Sequence, residues 1–431
     1  MKARLYFFLI VSLLILIEYI GYFLSRGYSV MITCIIALAL NLFYTIMVKI
    51  KYKKRMPPHA PNYRPFVTVI IPAKNEGKVI EATVREMMKL KYHTSDGNPN
   101  YEMMVIDDAS TDDTLAKLGE LQKEYPNLRT HHREQVKNPN KAKVLNDVFP
   151  KCNGEIHAIF DADGRVEPDF LEKIIPYLSE PEVGGVQAQK RISNETLSDL
   201  TAAQDDELIM LMSISRNQDL ADGAVDMRGN GMIVKRDAVK ASGMWNENAL
   251  TEDLDMSTRL QLNNWSVRYC ADIVVKEEAV TTVLALYKQR KRWAEGGIRR
   301  YLDYMPQFFK PNMSIIKKLD MFSFFFTFYF PIWFFIGLLF SIFGSLLTGE
   351  LKIAVVIYLT AILATILTIN TFVGLNQAGI KKKRRLIYRT GRSLIFNMHW
   401  MFIIPIISFR ILFSWKQAEW GKTEHGEHEN T

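Results

Sequence analysis

The chain has 431 residues, 54 Lys and Arg against 46 Asp and Glu, a net charge of +8 and 48% hydrophobic residues. That length accommodates one sizeable domain with additional elements, and the clustering of the apolar residues into long runs excludes an ordinary soluble protein. Cys34, Cys152 and Cys270 are widely separated and without metal-ligand spacing, so they read as reduced cytosolic thiols.

Residues 5–24, interrupted only by Glu18, and residues 28–48, which carry no formal charge, are the first two apolar runs. Residues 322–347 and 353–380 are two more, and each exceeds the roughly 18 apolar residues that argue for a bilayer span. A second run follows the first at once, with no small-residue cleavage site between them, which predicts a membrane helix rather than a signal peptide. Residues 394–409 are shorter and contain His399 and Pro405, which suits a short span, a re-entrant segment or an interfacial one.

Lys49, Lys51, Lys53, Lys54 and Arg55 follow the second run, and Lys381, Lys382, Lys383, Arg384 and Arg385 follow the fourth. Cationic clusters beside spans mark the cytoplasmic side and suit anionic lipid. No nucleic-acid recognition motif accompanies them, so nucleic acid is not an expected partner. If the first two and the next two spans are hairpins, residues 56–320 are cytoplasmic.

After Pro57, Pro58 and Pro61 the pattern becomes α/β. Residues 66–72 are a β-branched run that predicts a buried strand. The polar turn Ala73-Lys74-Asn75-Glu76-Gly77 leads into a predicted helix over 79–90. A second strand is predicted over 102–106, ending at Asp107-Asp108, then a helix over 113–125 capped by Ser110 or Asp112. A helix over 143–149 and a strand over 155–160, ending at Asp161, follow. Alternating strands and helices imply a mostly parallel sheet, whose ligands bind at the carboxyl ends of its strands. Pro72 to Glu76, Asp107-Asp108 and Asp161 to Asp163 all stand at such ends.

Asp161-Ala162-Asp163 offers two carboxylates to a hard divalent cation, which prefers oxygen ligands and shares its shell with phosphate. Asp107 and Asp108 suit a uracil ring or ribose hydroxyls, or else cap the next helix. Lys141 is placed to meet a phosphate, although a surface lysine is the commoner fate of such a residue. Thr251-Glu252-Asp253 precedes a predicted helix over 254–262, where acidic residues are favoured by the macrodipole; Asp253 also suits a general base. Gln289, Arg292 and Trp293 are spaced i, i+3, i+4 on one helical face, an Arg for a leaving diphosphate and a Trp for an acceptor channel. The neighbouring Lys288, Arg290 and Lys291 alternatively read as a basic interfacial helix.

These motifs, in this order, resemble the inverting family 2 glycosyltransferases with the GT-A fold, whose membrane members make cellulose, hyaluronan and poly-N-acetylglucosamine. Arg228-Gly229-Asn230-Gly231, Gly243-Met244-Trp245-Asn246-Glu247, Glu277-Glu278-Ala279-Val280-Thr281-Thr282 and Arg292-Trp293-Ala294-Glu295-Gly296-Gly297 give a closer likeness to cyanobacterial-type β-monoglucosyldiacylglycerol synthases. Met398-His399-Trp400 and the tail Trp420-Gly421-Lys422-Thr423 point the same way, whereas Thr251-Glu252-Asp253 matches the polysaccharide synthases. The resemblance implies a metal-dependent (Mg²⁺ or Mn²⁺) UDP-sugar:lipid hexosyltransferase, with glucose passing to diacylglycerol, in a bacterial plasma membrane. A processive synthase extruding a polysaccharide is the alternative.

It implies catalytic roles for Asp253, Glu252 and Arg292, and metal at Asp161 and Asp163. Pro72, Asn75, Glu76, Asp107, Asp108, Lys141, Asp161, Gln289, Arg292 and Trp293 would bind the donor; Gly229, Asn230, Gly231 and Trp293 would meet the acceptor. The expected organisation is two N-terminal membrane helices (1–55), a cytoplasmic GT-A domain (56–300), an interfacial region (301–320), C-terminal membrane or re-entrant helices (321–415) and a cytoplasmic tail (416–431). The tail resembles a segment that closes over UDP, so a cysteine placed in it should resist impermeant thiol reagents in intact cells. Labelling from outside would overturn that orientation.

Overall fold

The computed structural model describes residues 2–25, 58, 60–134, 139–308, 313–349 and 354–413. The predicted span at 28–48, the first basic cluster, Cys34 and the tail motif at Trp420 lie outside the described residues.

The sheet begins with β1 (Val67–Ala73), β2 (Tyr101–Asp108), β3 (Leu128–Arg133) and β4 (Ile156–Ile159). The β-branched and Met-rich runs of β1, β2 and β4 are buried on both faces, the pattern of parallel strands covered by helices, while the polar β3 is an edge strand and partly exposed. The crossovers are α2 (Ile80–Met87), α3 (Thr114–Glu124) and α4 (Lys141–Val148). Next come β5 (Arg165–Val166), α5 (Phe170–Ile174), β6 (Val183–Ile192), the long helix α6 (Asp199–Leu220), β7 (Met232–Lys235) and α7 (Arg236–Ala241). The domain closes with α8 (Glu252–Leu262), β8 (Ser266–Glu277) and α9 (Val283–Tyr304).

The eight strands run in the order β3-β2-β1-β4-β7-β6-β8-β5, with β7 and β5 antiparallel to their neighbours. The mostly parallel sheet predicted from the alternation is present. Its first crossovers also match the predicted elements, with shifts of one to three residues at the ends. Two shifts matter. Asn140 caps α4 through its Oδ1 and Lys143 N (2.9 Å), so Lys141 stands at the helix start instead of before it. Helix α8 begins at Glu252, which puts Glu252 and Asp253 in its first turn.

The remaining helices are α1 (Lys2–Ser25), α10 (Ile315–Thr348), α11 (Ala354–Gln377), α12 (Lys383–Asn397) and α13 (Trp400–Phe413); all are apolar except α12, which carries five Lys and Arg. Residues Phe328–Leu347 and Lys383–Phe413 are long and apolar enough to cross a membrane, and Leu5–Ile20 is a shorter apolar stretch. The run at 394–409 falls across the end of α12 and most of α13. Helix α13, at about 21 Å from its 14 residues, is shorter than a hydrocarbon core of ~30 Å. No separate helix occupies 301–320: among the described residues that stretch is the end of α9, a turn at Met305–Gln307 and the start of α10.

The bundle joins the domain through α9, which packs on α10 and α13 around Ala294, Ile298, Tyr301, Phe328, Ile404 and Ile407. Gly297 allows this approach, since a Cβ there would lie 2.4 Å from Phe328 Cζ. Gly231, between β4 and β6, has φ +72°, and a Cβ there would stand 2.7 Å from Val275 Cγ1. Gly231→Ala therefore combines backbone strain with overpacking, and should cost about 2–4 kcal/mol. Denaturant unfolding of the purified protein measures this; an unchanged midpoint would contradict it.

Candidate functional site

Because β1, β2 and β4 are parallel, their carboxyl ends share one rim of the sheet. The register sets Asp107 opposite both Ala73 and His132, and Asp108 opposite Arg133. Asp107 Oδ2 lies 2.7 Å from His132 Nδ1, and its Oδ1 is buried without a hydrogen-bond partner among the described residues. Asp108 accepts from Arg133 Nη1 at 2.5 Å and lies 3.8 Å from Lys74 Nζ. The N-cap of α3 is Asp113, which makes no side-chain capping bond, in place of the predicted Ser110 or Asp112. Asp112 Oδ1, one residue earlier, accepts from Thr114 N at 3.1 Å, so the helix start does not engage the Asp107-Asp108 pair.

The turn after β1 is stitched to the turn after β2. Asn75, with φ +54°, donates its N–H to Ser110 Oγ at 2.8 Å and accepts from Thr111 N at 2.7 Å. Glu76 N donates to Thr114 Oγ1 at 2.9 Å. Pro72 closes β1 beneath them, half-buried. The predicted donor residues of the first half of the chain are thus one continuous rim.

Lys141 bridges this rim to the second group of carboxylates, with Nζ 2.5 Å from Asp161 Oδ1 and 3.7 Å from Glu252 Oε1. Burial opposes its charge, but Asp161 and Glu252 outweigh it and hold the ammonium above its ordinary value. Burial pushes Glu252 up to about 7 against the pull of Lys141, with Asp253 adding to the rise. Asp253 is raised for the same reason, opposed by the Leu254 N–H and by Lys141, Lys190 and Arg292. A Cβ on Gly229, which has φ +79°, would lie 3.5 Å from Asp253 Oδ2 and 3.8 Å from Asp161 Oδ2. Both carboxylates therefore border the gap left by that glycine.

Asn230 and Gly231 play a different part from the one expected. Asn230 is fully buried, and its Oδ1 accepts from Asp161 N at 3.2 Å; Gly231 N donates to Ile159 O at 3.1 Å. They lie behind the Asp161 loop and hold it, because the chain must satisfy its backbone groups where β4 ends. Asp163 is 5% exposed and accepts from Glu278 N at 2.9 Å. Beside it Glu277 pairs with Lys190 at 2.8 Å, and Lys190 also donates to Arg228 O at 2.8 Å.

No cluster of three or more potential metal ligands occurs among the described residues. Asp161 and Asp163, two hard oxygen donors on one loop, still fit a magnesium-like cation, which is commonly held by one or two carboxylates together with substrate phosphates. Glu277, raised by burial and further by Asp163 and Asp161, adds to the negative field there.

On α9, Arg292 is half-buried, and its positive charge opposes the rise of both Glu252 and Asp253. It makes no side-chain hydrogen bond or ion pair among the described residues. Gln289 accepts from Arg290 Nη1 at 2.9 Å, and Trp293 lies 4.1 Å beneath the Arg290 guanidinium. Arg290 is no part of a basic interfacial face: it is 2% exposed and bound to Glu207. Sequence reasoning missed Arg290, Glu207, Lys190, Glu277, His132 and Arg133, whose partners come from distant elements. The one available signal was charge in runs that otherwise bury, as in β3 and α6.

Residues 64–296 match the family model described as "Glycosyltransferase like family 2". The β-monoglucosyldiacylglycerol synthase of Trichormus variabilis is 34% identical over 374 residues, covering 84% of this chain and 76% of that protein. The synthase of the same name from a Synechocystis species is 34% identical over 366 residues, covering 84% and 75%. The poly-β-1,6-N-acetyl-D-glucosamine synthase of Staphylococcus epidermidis is 27% identical over 233 residues, covering 54% of each chain. Among solved structures, the mannosyltransferase PcManGT of Pyrobaculum calidifontis, in complex with GDP-Man and Mn²⁺, superposes with a TM-score of 0.64 at 20% identity. It covers 90% of this chain and 99% of that one, and shows the shared fold.

The raised Glu252 carboxyl has a consequence for stability. Its folded value, about 7, lies above the ordinary 4.5, so its contribution is present below pH 4.5 and is lost as pH rises through 7. Wild type should lose up to about 3 kcal/mol across that window relative to Glu252→Gln. Parallel pH profiles of unfolding midpoints for the two proteins would show otherwise.

Proposed function

The chain belongs to the family 2 glycosyltransferases, and on that premise we propose that it transfers a hexose from a nucleotide donor to a membrane lipid with inversion. Our reading of the donor is UDP-glucose and of the acceptor diacylglycerol, giving a β-glycolipid at the cytoplasmic face of the membrane. The observation that carries it is the convergence of Lys141, Asp161, Glu252 and Asp253, two of them bordering the Gly229 gap, next to α9, which packs against Thr251 through Gly296 and also on apolar helices. The names of the two cyanobacterial relatives support the lipid acceptor.

In this reading the rim of Pro72, Asn75, Glu76, Asp107 and Asp108 receives the nucleoside, and the buried Asp107 Oδ1 suits a donor on the base or ribose. Lys141 and Arg292 meet the phosphates. A divalent cation at Asp161 and Asp163 would neutralise charge on the departing diphosphate. Asp253 takes the proton of the acceptor hydroxyl as that oxygen attacks the anomeric carbon. Its raised proton affinity favours that step, because a base works best when its pKa approaches the working pH. Attack from the face opposite the leaving group inverts the centre, and Trp293 lines the acceptor's approach.

Incubation of the purified protein with radiolabelled UDP-glucose, Mg²⁺ and diacylglycerol tests the assignment. A single labelled glycolipid is expected; label in a high-molecular-weight polymer, from this or another UDP-sugar, would replace it with a polysaccharide synthase. Asp253→Asn should lower transfer by at least about 100-fold while UDP-glucose binding stays within about twofold. Retained transfer with lost binding would contradict the base assignment.

A further inference from the structure

We propose that Glu207, on α6, is the positioning residue that sets the Gln289–Trp293 segment for transfer. Glu207 is 2% exposed, and its two hydrogen-bond partners, Arg290 and Trp400, are not among the residues assigned to donor or acceptor. Its Oε2 accepts from Arg290 Nη2 at 2.5 Å, and its Oε1 accepts from Trp400 Nε1 at 2.7 Å. The same Arg290 guanidinium donates to Gln289 Oε1 and stacks 4.1 Å from the Trp293 ring, with the Trp400 ring 5.7 Å away. One buried carboxylate therefore holds a cation that touches both Gln289 and Trp293, and also ties it to the first residue of α13.

The geometry has a directional logic. Arg290 is 2% exposed and bonded to Glu207, while Arg292, two residues on, is half-buried and its charge acts on Glu252 and Asp253. An arginine fork makes planar bonds in fixed directions, so anchoring it at Glu207 fixes the roll of α9 about its own axis. That roll decides where Trp293 and Arg292 stand. Burial pulls the Arg290 charge down, opposed first by Glu207, so the carboxylate also keeps the anchor ionised. The contact lies 83 residues apart in sequence and belongs to neither motif.

The inference rests on the Gln289–Trp293 segment lying at the reaction centre, so Arg292→Ala is the control. If Arg292→Ala retains full transfer, that premise fails and the positioning role of Glu207 is overturned with it. With the premise standing, Glu207→Gln keeps an acceptor for Trp400 but loses the charge that holds Arg290. It should lower transfer by about 10- to 100-fold, the scale expected of a small misplacement. UDP-glucose affinity should stay within about twofold, and Glu207→Asp should recover part of the loss. Arg290→Lys, which keeps the charge but not the planar fork, should show the same split between transfer and donor binding. The double variant should be no worse than either single change, because both remove one interaction.

Wild-type transfer in Glu207→Gln, strictly additive losses in the double variant, or donor affinity falling in step with transfer would each overturn the proposal. Where Glu207→Gln does not accumulate in folded form, Arg290→Lys decides by the same comparison of transfer and donor affinity.

Discussion

Three consecutive carboxylates on α6, Asp205, Asp206 and Glu207, are each 2% exposed or less, and the architecture is arranged around satisfying them. A buried carboxylate left without a partner costs several kcal/mol, about 3–5 when one member of a buried pair is removed. Successive helix residues point roughly 100° apart, so three in a row cannot share one neighbour. Asp205 takes Arg191 from β6 and Arg389 from α12; Asp206 takes Arg389 and Arg392; Glu207 takes Arg290 from α9 and Trp400 from α13. A single helical turn thereby ties the sheet, the helix beside the reaction centre and two C-terminal helices together.

That arrangement explains why α12 lies along the domain: it carries Lys383, Arg384, Arg385, Arg389 and Arg392, and the last two are bound to α6. Arg389 and Arg392 face α6, while Ile387, Tyr388 and Ile395 face outward with Lys381 to Arg385 exposed before them. Such a helix suits a membrane surface better than its interior, since its cations are committed to the protein on one side and to water or headgroups on the other. Further along, Ser213 of α6 reaches Gln377, and Thr371 reaches Met210 of α6 and Ser393 of α12, so α11 is joined to both helices.

The reaction centre has the opposite electrostatics. Its acids are packed against one another, and two of them, Glu252 and Asp253, are raised by burial. Lys141 and Lys190 offset part of that charge. The remainder leaves a site that favours cations and proton acceptance, the two properties demanded by a diphosphate leaving group and a hydroxyl nucleophile. The tension is local and is borne by the framework: Asn230, Gly231 and the Glu278 N–H hold the Asp161–Asp163 loop from behind.

Much of this was legible in sequence because it depends on short-range rules. Runs such as Val67-Thr68-Val69-Ile70-Ile71 bury as parallel strands whatever surrounds them, and a carboxylate just after such a strand must lie at the ligand rim. The spacing of Gln289, Arg292 and Trp293 likewise follows from helical geometry. The ends of α4 and α8 were misplaced by two residues because capping and first-turn acids are set by neighbouring loops. The bonds of Asn230 to Asp161 N and of Gly231 to Ile159 O are not legible in sequence, because the first joins residues 69 positions apart.

The sequence by itself determined the alternating α/β order, the strand-end carboxylates and the apolar helices, since each arises from residues within a turn or a strand of one another. Only the tertiary structure decided which charges meet. Glu207 and Arg290, Asp206 and Arg389, and Lys190 and Glu277 are separated by tens to hundreds of residues, and no periodicity links them. Their pairing is imposed by burial, which makes a lone charge too costly to leave and so selects the one packing in which every one of these charges finds its partner.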